Sequence, residues 1–416
     1  MAQTRGRENM KIVIVGHMDH GKSTLIGRLL YDTRSLSPDR MEVIRKTCEE
    51  MGKPVEFAFV MDHLREERER GMTIDTAQTF FHTARRDYVI IDAPGHKEFM
   101  KNMITGASQA ETSILIVDVH EGVMEQTRRH AYVLGMLNLR KNILVLNKMD
   151  LVGYDKAAFE RVRGEIAAFL KRLGIAPSFV IPVSGTGGDN FASPSGKMPW
   201  YKGPTLIDAL DTLEKDRDLR EKPLRMPVQD VYEREAGRIV AGRIESGSLR
   251  EGDAVRIFPG EERATVAKVL EFGATRASAE AGECIGVLLS GGAAPRRGDL
   301  LGALGDPPRL GTAVSANLFW MAAEACAAGE RLTLRLGTQE TPCRIETIGK
   351  RIDSSTLDVI EENARALEET EVGEVLVRTE RPVAFELFSD IPELGRFVLE
   401  RGNDIVAGGI ITRPGP

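Results

Sequence analysis

The stretch KIVIVGHMDHGKST, residues 11–24, decides how the chain begins to fold. Its first half is a continuous apolar run, the mark of a strand buried on both faces. Its second half spells GxxxxGKS: Gly16, four residues, then Gly21, Lys22 and Ser23. The segment TLIGRLL that follows has helical apolar spacing, so the glycines stand between a strand and a helix. In that setting glycines let the backbone turn tightly and aim several amide N–H groups at one anion. The helix N-terminus adds partial positive charge. Lys22 would reach the β and γ phosphates, and the Ser23 hydroxyl would hold Mg2+, which keeps most of its water. The candidate nucleotide loop is therefore Gly16, His17, Met18, Asp19, His20, Gly21, Lys22, Ser23 and Thr24. His17 and His20 raise a metal site as an alternative. Zinc needs three or four ligands, and no cysteine or further histidine stands in series with these two.

Strand and helix signals continue to alternate after this loop. DYVIID, TSILIVDV, NILVLNKMD and FVIPVS read as strands, and HKEFMKNMITGAS, TRRHAYVLGML and AAFERVRGEIAAFLKRLG as helices. Continuous apolar strands separated by helices imply a mainly parallel sheet covered on both faces. Within this α/β segment IIDAPGH places Asp92 at a strand end, where a carboxylate can hold Mg2+ through water. Alone, Asp92 would be a turn or cap residue; downstream of the phosphate loop it belongs to the nucleotide site. Gly95 lets the backbone approach the γ-phosphate, and His96 beside it can align an attacking water. A polar residue at a helix start is the alternative for His96. In LREERERGMTID the charge run reads as a solvated face. Thr73 stands where its hydroxyl could bind Mg2+ while the γ-phosphate is present. Met18 and Met72 read as apolar packing that could flank His96.

NKMD, residues 147–150, sets the base. Asp150 can accept two hydrogen bonds from the N1–H and 2-amino edge of guanine. Adenine would leave that carboxylate unpaired, and an unmatched polar group rejects the wrong base strongly. Asn147 can bond the opposite edge, the Lys148 stem can cover the ring, and Ser184 in PVSG would complete the pocket. The expected ligands are GTP and Mg2+.

The pattern changes after TLIDALDTLEKDRDLREKPLRMP, a helix giving way to a charged, proline-bearing linker. GRIVAGRIESGSLREGDAVRIF has short strands broken at Gly247 and Gly252, which predicts a closed antiparallel barrel. A second barrel is expected beyond GDPPRLG. The expected domains are 1-218 (GTP-binding), 222-307 (first β-barrel) and 309-416 (second β-barrel). Between the last strands, SSTLDVIEENARALEET predicts a helix with Ser354 or Ser355 as its cap.

Composition narrows the class. The chain has 416 residues, 42% hydrophobic and 28% charged, and a net charge of −6. Domains run ~100–200 residues, so two to four are expected. No apolar stretch reaches the ~18 residues of a membrane span, and the polar N-terminus lacks a secretion signal. Cys48, Cys284, Cys326 and Cys343 are scattered, as in a reduced cytoplasmic chain without a cysteine metal site. The acidic balance argues against unspecific nucleic-acid binding.

The motifs GHMDHGKST, RGMTID, DAPGH, KNMITGASQAE and NKMD, in this order, resemble the translation-factor GTPases of the elongation factor Tu and elongation factor 1-alpha class. The resemblance covers nearly the whole chain. It implies that Lys22, Ser23, Thr73 and Asp92 handle phosphate and Mg2+. It further implies that Asn147, Lys148, Asp150 and Ser184 hold guanine, that His96 positions water, and that Met18 and Met72 form an apolar gate. GDNFASPSGKMPWYKGPTL, GKRIDSSTLDVI and GRFVLERGNDIVAGGII also resemble the GTPase large subunit of bacterial heterodimeric sulfate adenylyltransferase. That likeness implies a small-subunit partner that makes adenylyl sulfate from ATP and sulfate, driven by GTP hydrolysis. His17 and His20 follow the elongation-factor form instead, which implies aminoacyl-tRNA and the ribosome as partners. The expected role is sulfate activation, with aminoacyl-tRNA delivery as the alternative.

Overall fold

The computed structural model describes residues 8–36, 78–91, 110–137, 139, 141–214, 218–234, 237–271, 274–292 and 294–416, together with 42, 46 and 57. The chain divides into two compact units, Met1–Lys215 and Asp216–Pro416.

The first unit is built on six strands: β1 (Glu8–Gly16), β2 (Gln78–His82), β3 (Arg86–Ile91), β4 (Thr112–Asp118), β5 (Asn142–Asn147) and β6 (Phe179–Pro182). They lie in the order β2-β3-β1-β4-β5-β6. All neighbours are parallel except β2 against β3. The parallel strands read as unbroken apolar runs because both faces are covered, and every residue of β4 and β5 is buried. β3 and β4 lie on opposite sides of β1, so the strand order reverses there. Ligands of open α/β sheets bind in the crevice outside the carboxyl ends at such a reversal.

Among the described residues four helices accompany the sheet: α1 (Lys22–Asp32), α2 (Glu125–Met136), α3 (Lys156–Arg172) and α4 (Leu206–Thr212). The sequence of α3 explains its ends. Asp155 caps it by accepting from the N–H groups of Ala157 and Ala158, and Lys171 and Arg172 lie in the last turn against the negative end of the dipole. Phe159, Val162, Ile166, Phe169 and Leu170 form its buried stripe. The candidate helix 96–108 lies outside the described residues.

The second unit holds two closed barrels. In the first, strands Ala254–Phe258, Leu300–Ala303, Arg225–Arg234, Gly237–Arg243, Cys284–Ser290 and Arg263–Glu271 follow one another, and the last pairs back onto the first. In the second, the ring runs Arg331–Leu336, Arg396–Arg401, Asp404–Pro414, Arg309–Trp320, Glu371–Phe385 and Gln339–Asp353, and it closes likewise. The expected architecture, an α/β GTPase-type domain followed by two antiparallel β-barrels, is what the chain adopts.

One expected element is wrong. Residues 354–370 are not a helix: Val359–Ala364 is a strand paired with Gln339–Asp353. The polar residues there make a turn instead of a cap. The Asp353 carboxylate accepts from the N–H groups of Ser355 and Thr356, and Leu357 adopts a left-handed backbone with φ 63°. The barrel supplies a partner strand that the local spacing does not announce.

Candidate functional site

β1 delivers the phosphate loop to the carboxyl edge of the sheet. A Cβ on Gly16 would lie 2.5 Å from the carbonyl oxygen of Ile116 on β4, so only glycine fits beneath the loop. Gly21 precedes α1 with φ 94°, and a Cβ there would meet Asn147 Nδ2 at 2.4 Å. The loop is thus packed against the neighbouring strand ends through its glycines. Lys22 Nζ donates to the carbonyls of Gly16 and His17, each at 2.7 Å, which holds its ammonium across the loop. Ser23 and Thr24 follow in the first turn of α1, both half-buried. The Ser23 hydroxyl has no hydrogen bond among the described residues, so its oxygen is open to a cation.

The two loop histidines face protein groups. His20 is fully buried, and its Nδ1 accepts from the Asp118 N–H at 3.2 Å. The same Nδ1 lies 3.5 Å from the Ile116 carbonyl, and Nε2 lies 3.3 Å from a Glu121 carboxylate oxygen. Burial lowers the His20 pKa, the hydrogen bond to the Ile116 carbonyl opposes that shift, the charge of His17 adds to it, and Asp118 and Glu121 oppose it. His17 is half-buried with its ring 5.1 Å from that of His20, edge on. Among the described residues no group of three or more His, Cys, Asp or Glu could hold a metal ion. Met18 is 47% exposed and Asp19 is exposed with φ 63°.

β5 delivers the base motif. Asn147 is buried and works as a staple: its Nδ2 donates to the His20 carbonyl at 2.9 Å and its Oδ1 accepts from the Gly185 N–H at 3.1 Å. It binds the phosphate loop to the loop after β6. Lys148 follows with φ 61° and opens the 3-10 turn Met149–Val152, which carries Asp150. The Asp150 carboxylate is half-buried with no partner among the described residues, as a group awaiting a donor edge would be. Ser184 is fully buried, and its Oγ accepts from the Gly187 N–H at 3.1 Å. Thr73, Asp92, Gly95 and His96, with Met72, lie outside the described residues.

Three neighbours of the loop were not foreseen. Asp118 ends β4 and pairs with Lys148 at 2.7 Å. Glu121 faces His20 across the turn after β4. His130 on α2 is buried, and burial lowers its pKa to about 3, with the charges of Lys22, His17, His20 and Arg129 pushing the same way. The signal for Asp118 was available: it is a carboxylate closing an apolar strand at the edge where Gly16 and Asn147 also end. A further cluster buttresses the base side. Asp189 accepts from Ser195 Oγ at 2.6 Å and Tyr154 OH at 3.1 Å and pairs with Lys197. Burial alone would raise its pKa, but the hydrogen bonds from Ser195, Lys197 and Tyr154 bring it below the usual value. Trp200 Nε1 donates to the Tyr154 carbonyl at 3.0 Å.

Residues 7–216 match the family model described as elongation factor Tu GTP binding domain. Residues 237–302 match elongation factor Tu domain 2, and 313–412 match the GTP-eEF1A C-terminal domain-like family. Elongation factor 1-alpha of Pyrococcus horikoshii is 41% identical over 98% of this chain and 98% of that protein. Elongation factor 1-alpha of Archaeoglobus fulgidus is 40% identical over 97% and 98% respectively. The crystal structure of sup35 complexed with GDP aligns over 99% of this chain and 95% of that one, at a TM-score of 0.47 and 23% identity. These curated relatives are named as elongation factors, not as sulfate adenylyltransferase subunits, so they do not support the closer likeness expected from the tail. The tail segments 349–360 and 395–411 largely form barrel strands. Their pattern is set by barrel closure, and a fold carries role only weakly.

Proposed function

We propose a role that proceeds from one premise: the chain belongs to the elongation factor Tu and elongation factor 1-alpha family of translation-factor GTPases, which bind and hydrolyse GTP. Its role is to carry aminoacyl-tRNA to the ribosome in a GTP-dependent manner, in the cytoplasm. The observation that carries this is the 41% identity to an elongation factor 1-alpha along 98% of both chains, barrels included. Within that role the limits are 1-218 for the GTP-binding domain and 222-307 and 309-416 for the barrels.

Each residue then has a task. The Gly16–Lys22 amides and the Lys22 ammonium hold the β and γ phosphates. Ser23, with Thr73 and Asp92, would hold Mg2+, and the open Ser23 hydroxyl fits that duty. Bound Mg2+ supplies charge stabilisation to the phosphates. Asp150 accepts from the guanine edge, while Lys148 covers the ring. Ser184 and Asn147 fix the loops around it. His96 aligns water, and Thr73 with the Gly95 amide senses the γ-phosphate.

Two measurements test this. Asp150→Asn should weaken GDP binding at least about a hundredfold and shift preference toward xanthosine diphosphate, because the carboxylate's match to the 2-amino edge is lost. Full guanine affinity in that variant would refute the base assignment. Filter binding of aminoacyl-tRNA should succeed with a non-hydrolysable GTP analogue and fail with GDP. Capture of a small adenylyl-transferring subunit, with GTP-dependent adenylyl sulfate synthesis and no aminoacyl-tRNA binding, would reinstate sulfate activation.

A further inference from the structure

β4 ends in a carboxylate to which the sites assigned above give no task. Asp118 is 1% exposed and lies in register with Asn147 of β5. Its Oδ1 accepts from the N–H groups of His120 at 2.7 Å and Glu121 at 3.3 Å, which ties the turn after β4. Its Oδ2 lies 2.7 Å from Lys148 Nζ. Its own N–H donates to His20 Nδ1 at 3.2 Å. A buried carboxylate persists only when paired and hydrogen-bonded, and every partner of this one borders the nucleotide loops.

Lys148 makes the pairing consequential. It holds a left-handed backbone with φ 61°, which is uncommon for a residue with a side chain. That backbone turn aims the following 3-10 turn and Asp150 within it. Its side chain is 27% exposed, so the ion pair is only partly screened. Pulling the ammonium onto Asp118 fixes where the four methylenes of the stem run.

We propose that Asp118 is a positioning residue for the guanine nucleotide: it clamps Lys148 at the base while its own backbone holds His20 in the phosphate loop, so both loops keep one register. This rests on the assignment of 147–150 to guanine. The test is a double-mutant cycle on the full chain, with mant-GDP and Mg2+ as probe and stopped-flow release as readout. Asp118→Asn keeps the shape and can still accept from His120, so only the clamp is lost. It should weaken mant-GDP binding about tenfold or more, mostly through faster release, as expected for losing a partly buried ion pair. In a Lys148→Met background the same change should add less than about twofold, since no clamp remains to be lost. A merely structural role would give equal losses in both backgrounds, and that result overturns the proposal. So does an Asp118→Asn variant that binds like the parent. If circular dichroism shows that Asp118→Asn does not fold, Asp118→Ser, whose hydroxyl still accepts from His120, takes its place with the same expectation. Failure of the parent chain to bind mant-GDP overturns both this proposal and the guanine assignment. Normal parent binding with an additive cycle overturns this proposal alone.

Discussion

His130 in the first unit is buried and Glu245 in the second is half-buried, and loss of hydration moves these two titratable groups in opposite directions. It lowers His130 to about 3, assisted by the positive neighbours around the phosphate loop. It raises Glu245 from 4.5 to about 7, with Glu393 pushing the same way and Arg243 and Arg396 opposing. The signs of the linkage follow. The folded first unit binds fewer protons at His130 than the unfolded chain does, so its stability falls as pH drops below 6.5 toward 3. The folded second unit binds more protons at Glu245, so its stability falls as pH rises from 4.5 toward 7. Between 4.5 and 6.5 these two groups therefore contribute opposite slopes to the pH dependence of stability. The chain holds two tryptophans, Trp200 in the first unit and Trp320 in the second. Single-tryptophan variants can follow each transition separately.

The largest expected effect breaks the first half of that comparison. His130→Gln should remove up to about 5 kcal/mol of acid-induced destabilisation from the transition reported by Trp200. Urea titrations between pH 3 and 7 would measure it, and an unchanged acid slope would assign the sensitivity to another group. Next comes a control on the barrels. Arg225 is 1% exposed, with Glu386 Oε1 at 2.7 Å from its Nε and the Asp306 carbonyl at 2.9 Å from its NH1. Arg309 holds the other Glu386 oxygen at 2.9 Å. Arg225→Ala would leave one oxygen of the buried Glu386 carboxylate without its cation, with Arg309 still on the other, so the Trp320 transition should lose about 3 kcal/mol. Glu245→Gln then sharpens the second half. It should flatten the decline above pH 4.5, a contribution of up to about 3 kcal/mol at neutral pH, and leave the Trp200 transition unmoved. The smallest effect is a reference. Thr205 caps α4 by accepting from the Asp208 N–H at 3.2 Å, and Thr205→Ala should cost about 1 kcal/mol at every pH in the first unit only.

The comparison also separates what the chain spells locally from what it does not. The strand–glycine–helix succession at 11–32 is legible because turn chemistry and helix start are encoded in adjacent residues. The barrels are legible from glycine-broken short strands. His130 is not: it stands in the apolar spacing of TRRHAYVLGM as an ordinary helix residue, and its neighbours Lys22 and His20 are over a hundred positions away in sequence. Asn147 was expected only at the base, yet its two bonds reach His20 and Gly185, contacts that exist once β1, β5 and β6 are side by side. The segment 354–370 failed for the same reason in reverse. Its local spacing favours a helix, and a partner strand contributed by the barrel overrides it.

A ring of six strands has no first or last member, and so offers a neighbouring molecule nothing to pair with. Among the described residues the strand Val359–Ala364, appended to the second ring, pairs with Gln339–Asp353 alone and so has an open side. Its exposed run, VIEEN, sets Glu361 and Glu362 on opposite faces of the ribbon. A second copy approaching in β fashion would meet its own negative charge on either face. Like charges opposed across a strand pair are destabilising, so this open edge disfavours pairing with its own copy.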